Sequence, residues 1–549
     1  MTTRPLARRD AWAVTVTALA ARLAVVAWAA GTIPPAADGT YYHLLAGRIA
    51  SGQGYTWLWP DGVVTYAAHY PVGYPALLAA AYGVLGAQPA VGMLVNALLG
   101  AAGAWAAFDL LARVTGRRLA LAGGLAVALH PALVPYTAAL MTEGVTAALL
   151  VLSAAFASRA QDAVRGRLAL AWLVGAGLVL GVATLVRPQS LALAPLLGCL
   201  ALRPALAGAM ARLRVAVGMT VLAIAVCAPW TARNCRRMER CALVSVNGGW
   251  NLAIGTQTVD GGWREMEVPD ACKEVFAEAA KDACFGTAAQ GVISHDLLAW
   301  VARAPAKLHM TFDYLGAAPW YLHTANAERF PYRAKVALGS IEVLASRLLL
   351  VAALVAVRKL AGPRQLAREA MTALGLVACF LPAGGVYAYL ACAVAIVLLG
   401  ARALVRVPLV VPATAAVILA TAATHAVFFG SGRYGLVVVP FVTALAFVRT
   451  DNRDSHGASE TTGSGRAPPP IAKASERCHL APVDAAQAIA GREPASSRKR
   501  EDEGAAGGKS ELHRARCRVT PGRGNAKESA TEKDHLPRSP ATDARGRPG

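Results

Sequence analysis

The chain has 549 residues, of which 56% are hydrophobic and only 16% charged, and its formal net charge is +21. Its apolar residues form many runs of about 15 to 25, the length that crosses a bilayer as a helix. This composition excludes an ordinary soluble globular protein. The basic residues cluster at the ends of the apolar runs, where they signal membrane orientation rather than a surface that binds nucleic acid.

The first apolar segment, residues 11–31, is long enough to span a bilayer. It lacks a clear small-residue cleavage site, so we expect it to remain as a signal anchor. Arg4, Arg8 and Arg9 precede it and predict a cytoplasmic N-terminus. The polar loop 32–88 is therefore expected on the outer face of the membrane.

This outer loop contains one segment with a clear helical pattern. Residues 41–50 carry apolar side chains at helical spacing, which predicts a short helix lying on the membrane surface. Gly52 and Gly54 are expected to end this helix. The length of residues 74–86 is compatible with either a second surface helix or half a span.

The remaining apolar runs bring the predicted number of membrane-spanning helices to about twelve. Every short loop expected on the cytoplasmic side is basic. The second and third spans cover residues 89–114 and 119–136. The next three spans end at Arg159 on the inner side, at Arg187 on the outer side and at Arg203 on the inner side. The remaining spans cover residues 215–230, 335–357, 370–386, 387–401, 408–429 and 434–449.

These spans divide the chain into four parts. Residues 1–230 form an N-terminal membrane module, 231–333 a large outer insert, and 334–450 a second group of spans. In residues 451–549, Gly, Ser, Pro and mixed charges replace the apolar runs, which predicts a disordered, basic cytoplasmic tail. Its Arg498–Arg500 run is suited to an anionic headgroup or partner, and the alternative is a solvated tail with no specific role.

Several features of the first outer loop resemble a known group of proteins. They are Asp38 just after the first span, the surface segment Tyr41–Ala46, the turn Gly52–Tyr55, and Pro71–Pro75 with the pattern PxGYP. Together they resemble the first outer loop of the GT-C superfamily, especially bacterial relatives of protein O-mannosyltransferases and lipid A aminoarabinose transferases (glycosyltransferase family 39-like). The resemblance implies an all-α, GT-C-type bundle with periplasmic surface helices and one larger periplasmic insert.

The resemblance also implies a reaction, the transfer of a sugar from a polyprenyl phosphate, which needs a base for the acceptor. Asp38 is the first candidate, and a helix N-cap is the alternative reading. Related protein mannosyltransferases usually have an Asp-Glu pair here, whereas this chain has Asp38 followed by Gly39. The second candidate carboxylate is Glu143, for which the start of a helix is again the alternative.

The departing phosphate needs cationic groups, a task suited to arginine. Arg433 lies in an Arg-Tyr pair before the last span, which resembles a C-terminal signature of the bacterial members. Arg187 ends a span on the outer face. Both are candidates for the donor phosphate, and headgroup snorkelling is the alternative.

Further residues are expected to shape the substrate site, because amides and aromatic rings suit contacts with sugars. They are Tyr41, Tyr42, His69, Tyr70, Tyr434, Asn247 and Asn251. The histidines His43, His69 and His130 show no metal-binding spacing such as HxxxH, and each is expected in a polar surface or packing role. No cofactor is therefore expected, although a divalent metal is left open.

The cysteines support this topology, because Cys235, Cys241, Cys272 and Cys284 all fall in the outer insert. The bacterial periplasm is oxidising, so we expect disulfides there. Four cysteines allow three pairings, of which local closure, 235 with 241 and 272 with 284, is the simplest. Zinc is the alternative, without CxxC spacing to support it.

The sequence thus predicts a multi-pass protein of the bacterial inner membrane with both termini in the cytoplasm and its site on the periplasmic face. The expected activity is inverting transfer of a sugar from a polyprenyl-phosphate donor to a periplasmic lipid, glycan or protein. The expected partners are this donor, the acceptor and membrane lipids, without nucleic acid. The alternatives are an oligosaccharide ligase or polymerase with a lipid-diphosphate donor, a transporter or flippase, and a non-catalytic scaffold.

Overall fold

The computed structural model describes residues 5–202 and 208–449, which are mostly helical. The expected tail, residues 451–549, and Arg203 lie outside the described residues. The helices are α1 (Pro5–Ala29), α2 (Asp38–Ala50), α3 (Gly73–Leu85), α4 (Pro89–Ala112), α5 (Arg117–Ala128), α6 (Thr142–Asp162), α7 (Gly166–Val186), α8 (Leu193–Leu200), α9 (Ala209–Arg237), α10 (Gly248–Gln257), α11 (Glu278–His295), α12 (Leu297–Ala302), α13 (Ala304–Phe312), α14 (Ala317–Ala325), α15 (Tyr332–Arg358), α16 (Gln365–Ala378), α17 (Gly385–Val397), α18 (Ala401–Leu404), α19 (Val410–Val427) and α20 (Val439–Ala446). Shorter 3₁₀ segments lie at Pro135–Ala138, Pro188–Ala192, Asp270–Cys272 and Gly432–Val438.

Seven helices of the described ranges are long and apolar enough to cross a membrane, namely α1, α4, α6, α7, α9, α15 and α19. Shorter apolar helices cover Gly73–Leu85, Pro188–Leu200, Gly385–Val397 and Gly432–Ala446. The predicted all-α, multi-pass architecture is therefore confirmed. The predicted number of about twelve spans is not confirmed.

The predicted span 119–136 shows why an apolar run overestimates helix length. Helix α5 ends at Ala128, and the chain turns just before Pro131, which disfavours helix in the residue preceding it. The buried Arg22 of α1 donates from Nη1 to the Ala128 carbonyl at 2.8 Å, so one of the unpaired carbonyls at this helix end is satisfied. A Leu-Pro-Ala-Gly turn interrupts the apolar run 370–401 in the same way, between α16 and α17.

Small residues bring the helices of the N-terminal module close together. A Cβ placed on Gly103 of α4 would lie 3.1 Å from the Ala148 Cα of α6, and one on Gly181 of α7 would lie 2.6 Å from Val226 Cβ of α9. Such close approach of backbones is the usual basis of helix packing in membranes, where lipid tails remove the hydrophobic drive. Helix α20 contacts α4, α5 and α15, so the C-terminal helices join the same bundle.

The first outer loop contains the predicted surface helix, which is α2. Gly52 and Gly54 follow it with φ of +77° and +74°, a conformation that glycine adopts without steric cost. A hairpin of β1 (Thr56–Leu58) and β2 (Val64–Tyr66) comes next, with Trp57 opposite Thr65. Helix α3 has 13 residues, about 20 Å of helix, which is too short to cross a bilayer.

The outer insert contains α10 to α14 and two disulfides. Cys235 is bonded to Cys241, and Cys272 to Cys284, so the predicted local pairing is confirmed. In this insert, α12 and α13 follow one another and are separated at Arg303.

Candidate active site

Asp38 is the first residue of α2, but its side chain does not cap that helix. The N-cap position is Ala37, and no side-chain capping bond forms there. The Asp38 carboxylate instead accepts from Arg433 Nη1 at 2.8 Å and from the Tyr70 hydroxyl at 3.3 Å. The capping alternative is therefore wrong for this side chain, which is tied to a residue near the end of the membrane bundle.

Glu143 occupies a similar position at the start of α6 and is almost completely buried, at 2% exposure. One oxygen, Oε1, pairs with Arg187 Nη1 at 2.9 Å and lies 3.5 Å from Arg433 Nε. The other, Oε2, accepts from the Tyr136 hydroxyl at 2.8 Å. The N-cap of α6 is Met141, without a side-chain capping bond, and Glu143 lies in the first turn of this helix as the alternative reading expected, but its side chain forms ion pairs.

Arg433 lies between the two carboxylates and connects them. Its Nη1 binds Asp38, its Nε faces Glu143, and its Nη2 donates to the Tyr434 hydroxyl at 3.2 Å. Arg187 lies over the Tyr434 ring at 4.9 Å. The four predicted charged residues thus form one cluster, the charged cluster, made of two carboxylates and two guanidinium groups.

Gly39 explains why the expected Asp-Glu pair is absent. A Cβ at this position would lie 2.9 Å from the Tyr321 hydroxyl and 3.0 Å from the Leu140 carbonyl oxygen. The same Tyr321 hydroxyl accepts from the backbone N–H groups of Ala36 and Leu140. A longer side chain has no room at Gly39 unless these neighbours move, and the second carboxylate of the cluster is supplied by Glu143.

The charged cluster and a second ionic group lie at opposite ends of α6. Residues 143 and 162 are 19 residues apart, about 28 Å along a helix and close to the thickness of a bilayer core. At the far end, Asp109 pairs with Arg113 at 3.1 Å and with Arg159 at 2.7 Å. The two ends of the bundle therefore both carry compensated charges, and the candidate site belongs to the end expected outside.

Aromatic side chains of the first outer loop surround Asp38. Tyr70 is stacked on Tyr41 at 5.3 Å between ring centroids and meets Tyr42 edge-on at 5.2 Å. Trp57 of the hairpin contacts Tyr41 edge-on at 5.9 Å. The structure thus brings three of the predicted site-shaping residues to Asp38, through Tyr70.

His69 lies beside this aromatic group, with its ring 4.9 Å from Tyr70 and 5.3 Å from Trp250 of the insert. Burial lowers the pKa of His69 to about 4, although the nearby Asp38 carboxylate acts in the opposite direction. The imidazole is therefore neutral near pH 7, a state suited to hydrogen bonding rather than to binding phosphate by charge.

The insert is attached to the first loop by the carboxylate of Glu278. Its Oε1 accepts from Trp57 Nε1 at 3.0 Å, and its Oε2 accepts from the backbone N–H of Ala68 at 2.6 Å. Burial raises the pKa of Glu278, and these hydrogen bonds oppose that rise.

Asn247 precedes α10 and accepts a hydrogen bond from Ser245, and Asn251 lies within α10. The contacts described for these two residues do not reach the charged cluster. Their role in shaping the substrate site stays a prediction.

Two residues of the site were missed in the sequence. Tyr136 donates to Glu143, and the His425 ring is stacked on Tyr434 with centroids 4.1 Å apart. Neither carries a local signal in the sequence, because both become neighbours of the cluster only through folding.

His43 and His130 have packing roles as expected: His43 contacts the Tyr82 hydroxyl at 2.8 Å, and His130 Nδ1 accepts from the Ala132 N–H.

Metal ligands do not cluster in the parts of the chain that the structure describes. Residues 5–202 and 208–449 contain no group of three or more His, Cys, Asp or Glu side chains placed to hold an ion. The expectation of a site without a cofactor stays a prediction.

Comparison with known families supports the resemblance in the first loop. A family model described as "Dolichyl-phosphate-mannose-protein mannosyltransferase" matches residues 69–232, which include Glu143 and Arg187. The match covers about 30% of the chain and agrees with the predicted resemblance to protein O-mannosyltransferases. No curated protein matches the chain.

Two solved structures are similar to this chain at low sequence identity and low TM-score. The archaeal oligosaccharyltransferase AglB from Archaeoglobus fulgidus, in complex with an inhibitory peptide and a dolichol-phosphate, is 13% identical with a TM-score of 0.39, covering 80% of this chain and 50% of that one. ArnT from Cupriavidus metallidurans bound to undecaprenyl phosphate is 15% identical with a TM-score of 0.33, covering 81% and 77%. This chain spans about half the length of the archaeal enzyme.

Proposed function

We propose that this chain is a membrane glycosyltransferase that moves a sugar from a polyprenyl-phosphate donor to an acceptor on the periplasmic face of a bacterial inner membrane. The observation that carries the proposal is the charged cluster. Asp38, Glu143, Arg187 and Arg433 come from four distant segments and meet within hydrogen-bonding or ion-pairing distance. The description of the matching family names a sugar carried on a lipid phosphate, which supports the donor class.

Asp38 is the group best placed to act as the base. Its side chain is 31% exposed, against 2% for Glu143, so an acceptor can reach it. The acceptor hydroxyl or amine would attack the anomeric carbon from the face opposite the phosphate, and Asp38 would take its proton. The bond between that carbon and the phosphate oxygen breaks, its electron pair stays on the phosphate, and the configuration is inverted.

Arg433 and Arg187 would bind the departing phosphate. Guanidinium groups match phosphate oxygens in geometry and keep their charge, and positive charge at this position stabilises the negative charge that develops on the leaving group. The phosphate would compete with Asp38 for Arg433 Nη1. Donor binding would then release the Asp38 carboxylate for its role as base. The donor would therefore bind before the acceptor reacts.

Glu143 would hold both arginines rather than react itself. It is buried beneath them, it pairs with each, and Tyr136 occupies its second oxygen. The expected donor tail lies in lipid while its phosphate reaches the surface, which fits a site at the end of the membrane helices. The proposal leaves the acceptor as a lipid, a glycan or a protein.

Purified protein in lipid nanodiscs, supplied with an undecaprenyl-phosphate sugar and candidate acceptors, tests the proposal. Asp38→Asn keeps the shape of the side chain but removes the base, so transfer should fall by about 10²- to 10⁴-fold while undecaprenyl phosphate still binds. Full turnover by this variant would overturn the assignment of the base. Transfer from an undecaprenyl-diphosphate sugar supplied in a parallel reaction, with no transfer from the monophosphate donor, would favour the lipid-diphosphate ligase instead.

The identity of the sugar is best approached in cells. A strain that lacks the chain should accumulate the unused donor, which lipid mass spectrometry identifies by its mass and fragments. Complementation with Asp38→Asn should leave the donor accumulated, whereas complementation with the parent should remove it.

A further inference from the structure

The segment that carries Arg433 lies against the outer insert backbone to backbone. We call residues 428–435 the arginine segment. The Gly430 N–H donates to the Gly261 carbonyl at 2.8 Å. A Cβ on Gly430 would lie 1.9 Å from the Lys307 carbonyl oxygen, and one on Gly432 would lie 2.1 Å from the carbonyl oxygen of Leu315. These contacts leave no room for side chains, so the insert determines where this backbone lies.

Lys307 of α13 secures the place where the arginine segment begins. Its side chain is completely buried, at 0% exposure. The ammonium donates to the carbonyls of Ala426 and Val427, at 3.3 and 3.0 Å, and lies 5.4 Å from the ring centroid of Trp300. Its acceptors are thus backbone groups and an aromatic face, and the ion pairs described for residues 208–449 do not include it.

The position of these carbonyls explains why a lysine is useful there. Ala426 and Val427 are the last residues of α19, and the final carbonyls of a helix lack partners within it. They also form the negative end of the helix dipole, where a cation is favoured. The lysine therefore fixes the point at which the chain leaves α19, six residues before Arg433.

We propose that Lys307 is a positioning residue for Arg433: by binding the end of α19 it makes the outer insert hold the arginine segment in the geometry that places the guanidinium between Asp38 and Glu143. This inference rests on the proposed function, because it assigns the insert a part in phosphate binding. It predicts that losing the lysine affects catalysis more than folding. A methionine of similar length keeps most of the packing but leaves the Ala426 and Val427 carbonyls without this donor, so a smaller loss of stability is expected beside the loss of catalysis.

The test compares Lys307→Met with Lys273→Met, which changes an exposed lysine of the same insert. A second pair uses glycines: Gly430→Ala places a Cβ on the Lys307 carbonyl, whereas at Gly262 the nearest atom is the flexible end of Met310, at 3.0 Å. Each variant is examined for the thermal midpoint, for kcat and KM of donor and acceptor, and for amide hydrogen exchange across residues 428–435.

Lys307→Met and Gly430→Ala should speed exchange in the arginine segment and lower kcat by about 10²-fold, the usual cost of displacing a group by about 1 Å. The acceptor KM should stay within a factor of two or three of the parent, and Lys273→Met and Gly262→Ala should match the parent throughout. Unchanged exchange in Lys307→Met, or faster exchange with full kcat, would overturn the positioning role. Failure of the proposed function looks different, because the parent itself would then transfer no sugar while the exchange result would still decide how the segment is held.

Discussion

The buried carboxylate of Glu143 gives the sharpest prediction, because it holds two arginines at once. Glu143→Gln keeps the size of the side chain and its bond to Tyr136, but removes one of the two negative charges that balance Arg187 and Arg433. Breaking a buried ion pair by removing one partner typically costs about 3–5 kcal/mol, because a buried charge is left uncompensated. The amide oxygen remains as an acceptor, so we expect about 3 kcal/mol and a fall of about 3 °C in the thermal midpoint in detergent.

The same substitution should change donor binding. Without the charge of Glu143, the arginines lose the ion pairs measured at 2.9 and 3.5 Å, and Asp38 is the carboxylate that remains paired with Arg433. Undecaprenyl phosphate should therefore bind more weakly, and transfer should fall with it. Asp38→Asn should affect stability less and turnover more. Its stability should change by about 1 kcal/mol or less because this side chain is partly exposed, whereas its turnover should fall strongly.

The chain offers a matched control at the opposite end of the bundle. Asp109 is also a buried carboxylate between two arginines, Arg113 and Arg159. Asp109→Asn should lower the thermal midpoint by a similar amount but leave the affinity for undecaprenyl phosphate unchanged. If Glu143→Gln keeps both the parental midpoint and the parental affinity, the ion pairs at Glu143 do not carry the role given to them.

Two further predictions concern single residues, and a third concerns the membrane topology. Gly39→Ala should cost about 1–3 kcal/mol and reduce transfer, because its Cβ would press on Tyr321; a parental midpoint and rate would contradict the tight contact. The pKa of His69 in the folded protein is about 4, against 6.5 for an unperturbed histidine. Lowering the pH from 6.5 towards 4 should therefore remove up to about 3 kcal/mol of stability, because the unfolded state takes up the proton first. His69→Gln should flatten this part of the plot of thermal midpoint against pH. A reporter enzyme fused after Gly262 should be active in the periplasm and one fused after Lys359 in the cytoplasm, and the reverse pattern would place the charged cluster on the wrong face.

Much of this protein can be predicted from local sequence. The long apolar runs predict membrane helices because each helix satisfies its own backbone hydrogen bonds within lipid. The pattern of residues 41–50 and the following glycines predict α2 and its end. The pairings Cys235–Cys241 and Cys272–Cys284 are predictable because short loops bring these cysteines together.

The lengths of the spans were harder to predict, because hydropathy alone does not show where a helix stops. Helix α5 ends at Ala128 inside an apolar run, where a turn before Pro131 is stabilised by Arg22 from another helix. Mean hydropathy averages over such a turn, so the prediction from hydropathy made this helix too long.

The candidate site was predictable as a set of residue types but not as an arrangement. Asp38 and Glu143 each lie in the first turn of a helix, so their local sequence fits a helix start as well as an active site. Only the fold brings Arg433 to Asp38 across 395 positions of sequence, and only the fold places Lys307 at the end of α19. Helix and turn preferences act over a few residues, whereas ion pairs between distant segments depend on how the whole bundle and its insert pack, and that packing decided the geometry of the site.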